Sequence, residues 1–280
     1  MNAQLYPWIV AALAVLIAIG AGFAVLNQPA PPPTSVAEED AAMLLIHLQS
    51  DITAALEALD SRLAYAAFEL GKTELSGDAA RGILLNLSDT DPAIVDCTAS
   101  NMNGTILVAE PAAYHSAEGA DLKHQPNVQY ILATKRPIMS EVITVAEGFP
   151  AVVIATPILT DNGQSVGFTS IVFHPDLLIA DVVQPAVAGT SYQVMVVQTD
   201  GQVLYDTDPA QIGRMTFDDP LYADSPRLQD AARRVTSERY GTATYEFAAG
   251  ERDAVQKGII WTTTGLHGVE WRVAVIQTVE

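Results

Sequence analysis

Apolar positions change period twice along this chain, and each change marks a different kind of element. From Leu5 to Leu26 they run on without a charge, over about 22 residues, which at about 1.5 Å per residue just crosses a hydrocarbon core of roughly 30 Å. Pro29-Ala30-Pro31-Pro32-Pro33 then breaks the run. Beyond it, Leu45, Leu48, Ile52, Leu56, Leu59, Leu63, Ala66 and Leu70 recur in steps of three and four until Gly71, predicting one helix of about 35 residues and roughly 50 Å. Ser35-Val36-Ala37-Glu38 reads as its capping box, with Glu39 and Asp40 adding negative charge at the helix start. The stripe is narrow and alanine-rich, which suits a helix lying along a domain, a two-stranded coiled-coil seam, or both.

From about Ala93 the period falls to two, and short apolar runs are set off by turn dipeptides. Asn103-Gly104, Asn162-Gly163 and Asp200-Gly201 each sit between such runs, a strong hairpin signal. The predicted strands are 93–98, 105–109, 151–159, 165–173, 192–198, 202–206, 241–247, 254–262 and 270–278, with helical patterns at 128–134, 176–183 and 225–235. The two halves overlay. Asn103-Gly104-Thr105-Ile106-Leu107 matches Asp200-Gly201-Gln202-Val203-Leu204, and Gly119 through Pro126 matches Gly213 through Pro220. The predicted fold class is α+β: an N-terminal transmembrane helix, a long stalk helix, and two antiparallel-sheet units in tandem. The boundaries expected are 1–28 for an anchor or signal peptide, 29–35 for a Pro-rich linker, 36–92 for the long helix and a connector, 93–185 for the first unit and 186–280 for the second.

The apolar run is read as either a membrane anchor or, with Gly22-Phe23-Ala24 as a small-x-small cleavage site, a removed signal peptide. The first Lys or Arg is Arg62, so the positive-inside bias rests on the α-amino group, opposed by Glu38, Glu39 and Asp40. The expected localisation is single-pass in the cell membrane, with the bulk of the chain extracytoplasmic and any signal leaving through a partner. A net charge of −19 repels phosphate backbones and anionic headgroups, which argues against nucleic acid. Cys97 is the only cysteine, so stability must come from a core rather than a disulfide. Asn86-Leu87-Ser88 and Asn103-Gly104-Thr105 match the glycosylation pattern, which recurs by chance.

Two catalytic patterns invite an enzyme reading. Gly163-Gln164-Ser165-Val166-Gly167 has the nucleophile-elbow spacing, but a turn precedes Ser165 and a β-branched run follows, where an elbow needs strand before and helix after. His115, Glu118, Asp121 and His124 recur every third residue and are ordinary metal-ligand types; Gly119 interrupts any helix that would align them. No catalytic residue, metal or cofactor is assigned. Asp206, Asp208, Asp218 and Asp219 lack calcium-loop spacing and are read as turn and cap residues. Trp261, Trp271, Tyr240 and Tyr245 are read as packing on second-unit strands.

The ordered set of motifs resembles the double Cache sensor modules, PAS-like extracytoplasmic ligand-binding regions of chemoreceptors and sensor kinases. Pro157-Ile158 preceding Asp161 through Phe168 carries the likeness in the first unit. In the second it is carried by Asp200 through Asp206, Ile212-Gly213, Tyr240-Gly241, Lys257-Gly258 and Trp261 through Trp271. The first unit lacks any Trp, which departs from the family's Arg-x-Trp-Tyr amino-acid motif. The resemblance implies capture of a small molecule, a carboxylate or amine metabolite, by the membrane-distal first unit. A homodimer through the long helix is expected from its narrow stripe, and a membrane signalling partner from the lack of a second comparable apolar run, while the resemblance itself does not imply how a message crosses the membrane. The expected pocket residues are Tyr114, His115, Tyr130, Lys135, Arg136, Ser140 and Thr156, with Arg136 as a planar clamp for a carboxylate. The rival readings are a secreted hydrolase or metal-dependent enzyme, and a helix-dimerised assembly factor with vestigial pockets.

Overall fold

A computed structural model describes residues 36–146, 148–217, 226–247 and 255–279. The apolar run Leu5–Leu26, the proline tether and the cap at Ser35 lie outside the described residues. Helix α1 spans Val36–Leu70. Its stripe is closed to solvent: Leu48, Ile52, Leu56, Leu59, Leu63 and Leu70 expose 1% or less, each such side chain contributing about 1.5–3 kcal/mol. Among the described residues Glu38–Leu70 is long and apolar enough to cross a membrane by length and composition, yet this apolar stripe belongs to the same buried cluster as residues of both sheets. The connector predicted after Gly71 contains a second helix, α2 (Asp78–Ser88), whose buried positions Ala80, Leu84 and Leu87 are too few to register as a period.

The first sheet holds β1 (Ile94–Asn101), β2 (Ile106–Glu110), β3 (Ile138–Met139), β4 (Ile143–Thr144), β5 (Pro150–Leu159) and β6 (Ser165–Phe173). Its order is β2-β1-β6-β5-β3, with β4 beside β5. The two-residue strands β3 and β4 are too short to show a period, so the sequence pattern does not predict them. Helix α3 (Pro126–Thr134) lies between β2 and β3 in the chain, and α4 (Pro175–Val187) leads to the second sheet. That sheet holds β7 (Gln193–Gln198), β8 (Val203–Asp206), β9 (Gly241–Phe247), β10 (Val255–Leu266) and β11 (Val269–Thr278), ordered β8-β7-β11-β10-β9, with α5 (Pro226–Ser237) before β9. With β4 left out of the count, both sheets follow one order: second, first, fifth, fourth, third.

The repeat extends to single hydrogen bonds. Asn101 N donates to Thr105 O, Gly119 N to Ile106 O, and Leu122 N to Gly104 O; in the second unit Gln198 N donates to Gln202 O, Gly213 N to Val203 O, and Thr216 N to Gly201 O. Gly104, Gly119, Gly201 and Gly213 all have φ between 78° and 97°, the left-handed region that glycine enters at least cost. At Gly201 a Cβ would also press on the Phe217 ring.

Each sheet is covered on both faces. Cys97, Ala99, Ile154, Ile171 and Phe173 share the α1 core with Val194, Val196, Val273 and Val275 of the second sheet. On the other face Val95, Val153, Ala155 and Val172 meet Val128 and Ile131 of α3, and Val197, Ile259 and Ile276 meet Ala231 and Val235 of α5. Double coverage explains why β5 and β6 read as near-continuous apolar runs. Helix α1 touches the second unit through Thr53 Oγ1 and Thr264 Oγ1 at 2.8 Å and Asp60 Oδ1 and His267 Nε2 at 2.8 Å, and its C-terminal Gly71 abuts Leu159 O of the first. The two sheets share one compact body from Asp40 onward, in which Val142 N donates to Gln198 Oε1 at 2.7 Å.

Candidate ligand-binding site

A helix laid over a sheet leaves a gap wherever the side chains between them are short, and both units have one. In the first unit a cavity of about 40 Å³ lies between α3 and the sheet. Ile131, Val128, Val153, Phe168 and Val172 form its walls, and its polar groups are Thr98, Ser170, Gln125 and Asn127. Thr98 Oγ1 and Ser170 Oγ already hydrogen-bond each other at 2.7 Å. No charged side chain is among its described lining residues. In the second unit a cavity of about 120 Å³ lies between α5 and its sheet, lined by the polar Gln193, Asp206, Asp208, Gln211 and Lys257 and by the apolar Leu228, Val235, Ile259 and Ile276.

The pocket residues expected from sequence lie around the first cavity rather than in its lining. Helix α3 turns Val128 and Ile131 inward, which puts the adjacent Tyr130 outside at 49% exposure. Lys135 ends the helix in a left-handed conformation, φ 54°, and both it and Arg136 are exposed. Tyr114 is half-buried, packed against the apolar clusters beneath α3 and β2. Ser140 and Thr156 are buried, and Ser140 Oγ accepts from Val153 N at 3.0 Å, which ties β5 to the strand edge. His115 belongs to a different cluster. Its Nε2 is 3.0 Å from Glu110 Oε1 and 3.1 Å from Arg81 Nη1.

Arg81 is the centre of that cluster. It donates from Nη1 to Glu110 Oε1 at 2.9 Å and from Nη2 to Glu118 Oε2 at 3.0 Å, joining α2 to β2 and the 3-10 turn after it. The hydrogen bond from Arg81 and, secondarily, that from Ala109 N hold the Glu118 carboxyl below the usual range, against the opposing effect of burial. Asp121 pairs with Lys123 at 2.6 Å and His124 is exposed, so the His/Glu/Asp series of the sequence is divided between two neighbourhoods. Ser165 opens β6 and its Oγ meets Met102 Sδ at 3.4 Å; a strand, not a helix, follows it.

Sequence patterns mark the charged groups of the second cavity only as turn residues or not at all. Asp206 does serve the turn, its Oδ1 accepting from Asp208 N at 2.8 Å, and Asp208 caps the next 3-10 turn through Ala210 N at 3.1 Å. Both also line the cavity. Burial pushes the Asp206 carboxyl up to about 6, outweighing the hydrogen bond from Asp208 N and the attraction of Lys257. Burial likewise lowers Lys257, whose Nζ donates to Gln193 Oε1. The available signal is Lys257 itself, the one cation within β10. Trp261 and Trp271 are core residues, Trp261 Nε1 donating to Glu238 O at 3.0 Å. Tyr240 is 78% exposed, while Tyr245 is buried and lines the cavity.

Residues 54–175, from the middle of α1 through the first sheet, match the family described as HK/GC/Chemotaxis protein-like, sensor domain. No curated protein matches the chain. Among solved structures, an extracellular ligand binding receptor from Desulfohalobium retbaense DSM5692 is 27% identical with a TM-score of 0.69, over 84% of this chain. The match covers 40% of that receptor, so the chain spans about two fifths of its length. The ligand-binding domain of the Pseudomonas aeruginosa PAO1 amino acid chemoreceptor PctB, in complex with L-Gln, is 16% identical with a TM-score of 0.58, over 84% of this chain and 88% of that one. That of the Pseudomonas fluorescens chemoreceptor CtaA, in complex with L-alanine, is 17% identical with a TM-score of 0.58, over 85% and 96%. In the order of its paired sheets the chain shares the fold of these chemoreceptor ligand-binding domains, and residues 54–175 are similar to the sensor-domain family.

Proposed function

We propose that this chain is a membrane-tethered, extracytoplasmic sensor that captures a small molecule and signals through a membrane partner. The observation that carries the reading is a coincidence of position: the stretch matching the sensor-domain family is the stretch that folds into a helix-covered sheet around a cavity. The chemoreceptor domains of similar fold hold amino acids, which makes amino acids the first ligands to test. The uncharged run Leu5–Leu26 supplies the tether. We assign no catalytic step, since Ser165 meets a thioether rather than an imidazole.

At about 40 Å³ the first cavity fits a few waters, so a metabolite there requires α3 to lift from the sheet. Arg136 then becomes relevant. It follows directly on α3, and its guanidinium has no ion-pair partner among the described residues, so a shift of α3 brings a carboxylate clamp to the opening. Tyr114, His115, Tyr130, Lys135, Ser140 and Thr156 are the further residues proposed to support binding in the first unit. Along α1, Met43, Ile46, Tyr65 and Phe68 are each more than half exposed, apolar surface that a second copy would cover.

Thermal-shift screening of the purified chain against amino acids, small carboxylates, amines and purines tests the reading. A ligand that binds the native state alone raises stability by RT ln(1 + [L]/Kd). The expected result is one chemical class that raises Tm in a saturable way, with the shift removed by Arg136→Ala or by Ile131→Trp, which fills the first cavity. A flat screen, or one in which every shift is indifferent to both substitutions, refutes the first-unit assignment.

A further inference from the structure

The two units share a hydrogen-bond scaffold but not a lining. In the first sheet Thr98 of β1 pairs with Ala109 of β2; at the same place in the second, Met195 pairs with Asp206. Leu122, bonded through its N–H to Gly104 O, corresponds to Thr216, bonded to Gly201 O. One scaffold thus holds an uncharged gap in the first unit and a larger, charged one in the second.

The charge has a definite sign. Among the described residues, Asp206 and Asp208 bring two carboxylates to the lining and Lys257 one ammonium. Gln193 Oε1 takes a hydrogen bond from Lys257 Nζ, and Asp208 Oδ2 takes one from Gln211 Nε2 at 3.2 Å, so the local donors serve acceptors of the lining itself. The same lining includes an apolar surface, Leu228 and Val235 from α5 and Ile259 and Ile276 from the sheet.

We propose that the second-unit cavity is a ligand site in its own right, taking a small primary ammonium compound with a short unbranched alkyl body. The ammonium donates to Asp206, with Asp208 as the second carboxylate, and the alkyl chain lies along the wall beneath α5. A monocation neutralises the excess negative charge; a carboxylate adds to it. The half-buried Asp206 carboxylate, held where desolvation penalises its charge, gains most from a counter-charge that arrives with the ligand. Size follows from volume. An apolar cavity of about 150 Å³ holds benzene, so about 120 Å³ holds roughly five heavy atoms, the size of n-butylamine. The site uses second-unit side chains alone, so it stands or falls separately from capture in the first unit.

The test is isothermal titration calorimetry of the full-length chain in detergent at pH 7.5 with three probes of equal heavy-atom count: n-butylamine, 1-butanol and propionate, the last being the acid. The amine should bind saturably, with the alcohol and the acid weaker by at least about tenfold, the scale of one lost charge-assisted hydrogen bond. Asp206→Asn should weaken the amine by about one to two powers of ten. Ala231→Leu, which places bulk in the cavity from α5, should abolish binding, and Ile131→Trp in the first unit should leave it unchanged. Circular dichroism spectra checked on each variant keep a folding defect from passing as a binding defect. No amine binding at about 10 mM, a level that a ligand of five heavy atoms in a well-fitted site easily reaches, overturns the proposal. So does equal binding of amine and alcohol, or amine binding lost only in Ile131→Trp.

Discussion

Asp206→Asn should make the unliganded protein more stable at neutral pH, and by an amount the structure sets. The carboxyl titrates at about 6 in the folded chain against about 3.9 when unfolded. A raised acid pKa means that the folded state holds the proton more tightly. The stabilising contribution is therefore fully present below about pH 4, is lost as pH rises through about 6, and is absent above it. The gap between the folded and unfolded values corresponds to about 3 kcal/mol, with the attraction of Lys257 and the opposing charge of Asp208 already included. Asparagine keeps an oxygen to accept from Asp208 N and carries no charge to desolvate. The difference in unfolding free energy between variant and wild type should be near zero at pH 4 and grow to about 3 kcal/mol at pH 7.5, or about 6–12 °C in Tm for a chain of this size. Urea melts of both proteins at matched pH and ionic strength measure it, because the pH dependence of the remaining acidic surface cancels in the difference. A variant equal to or less stable than wild type at pH 7.5 would show that the carboxylate is compensated in the folded state, and would remove the energetic motive for a cationic ligand.

Three further outcomes follow from other parts of the molecule. Arg81→Ala should lower Tm at pH 7 more than at pH 3: the folded Glu118 pKa is depressed chiefly by the bond from Arg81, so that stabilisation exists above the unfolded value of about 4.3 and is lost as pH falls through the folded one; a loss equal at both pH values contradicts it. Gly167→Ala should abolish the cooperative thermal transition, since a Cβ there collides with the Ser100 carbonyl oxygen on the neighbouring strand, and a Tm within a few degrees of wild type refutes it. Full-length protein should remain with membranes after carbonate extraction, with its C-terminus open to external protease; recovery in the soluble extracytoplasmic fraction with a new N-terminus near Val25 would identify a cleaved signal peptide instead.

The strands and the repeat are legible in the sequence because their causes are local. Asn103-Gly104 and Asp200-Gly201 fix their turns through glycines of positive φ, and doubly covered strands such as β5 and β6 must be apolar throughout. The pocket is not legible there, because its lining is decided by a rotation. In the nine residues of α3, Tyr130 and Ile131 are neighbours in sequence, and only the seating of the helix on the sheet buries one and exposes the other. Arg136 stands out as a cation in an acidic chain, yet what distinguishes the second cavity from the first is carboxylates among its described lining residues, and a lining is a tertiary property. Asp206 looks like one turn aspartate among several, since its turn role through Asp208 N is real and accounts for its presence at the strand end. What the turn does not require is a position inside the cavity: the corresponding residue in the first unit is Ala109, and that scaffold closes without a carboxylate. A duplicated scaffold makes this comparison within one chain. Where the backbone bonds of the two copies agree, residues serve the fold; where the side chains on that shared backbone differ, as at Thr98 and Ala109 against Met195 and Asp206, the difference is free to serve the ligand.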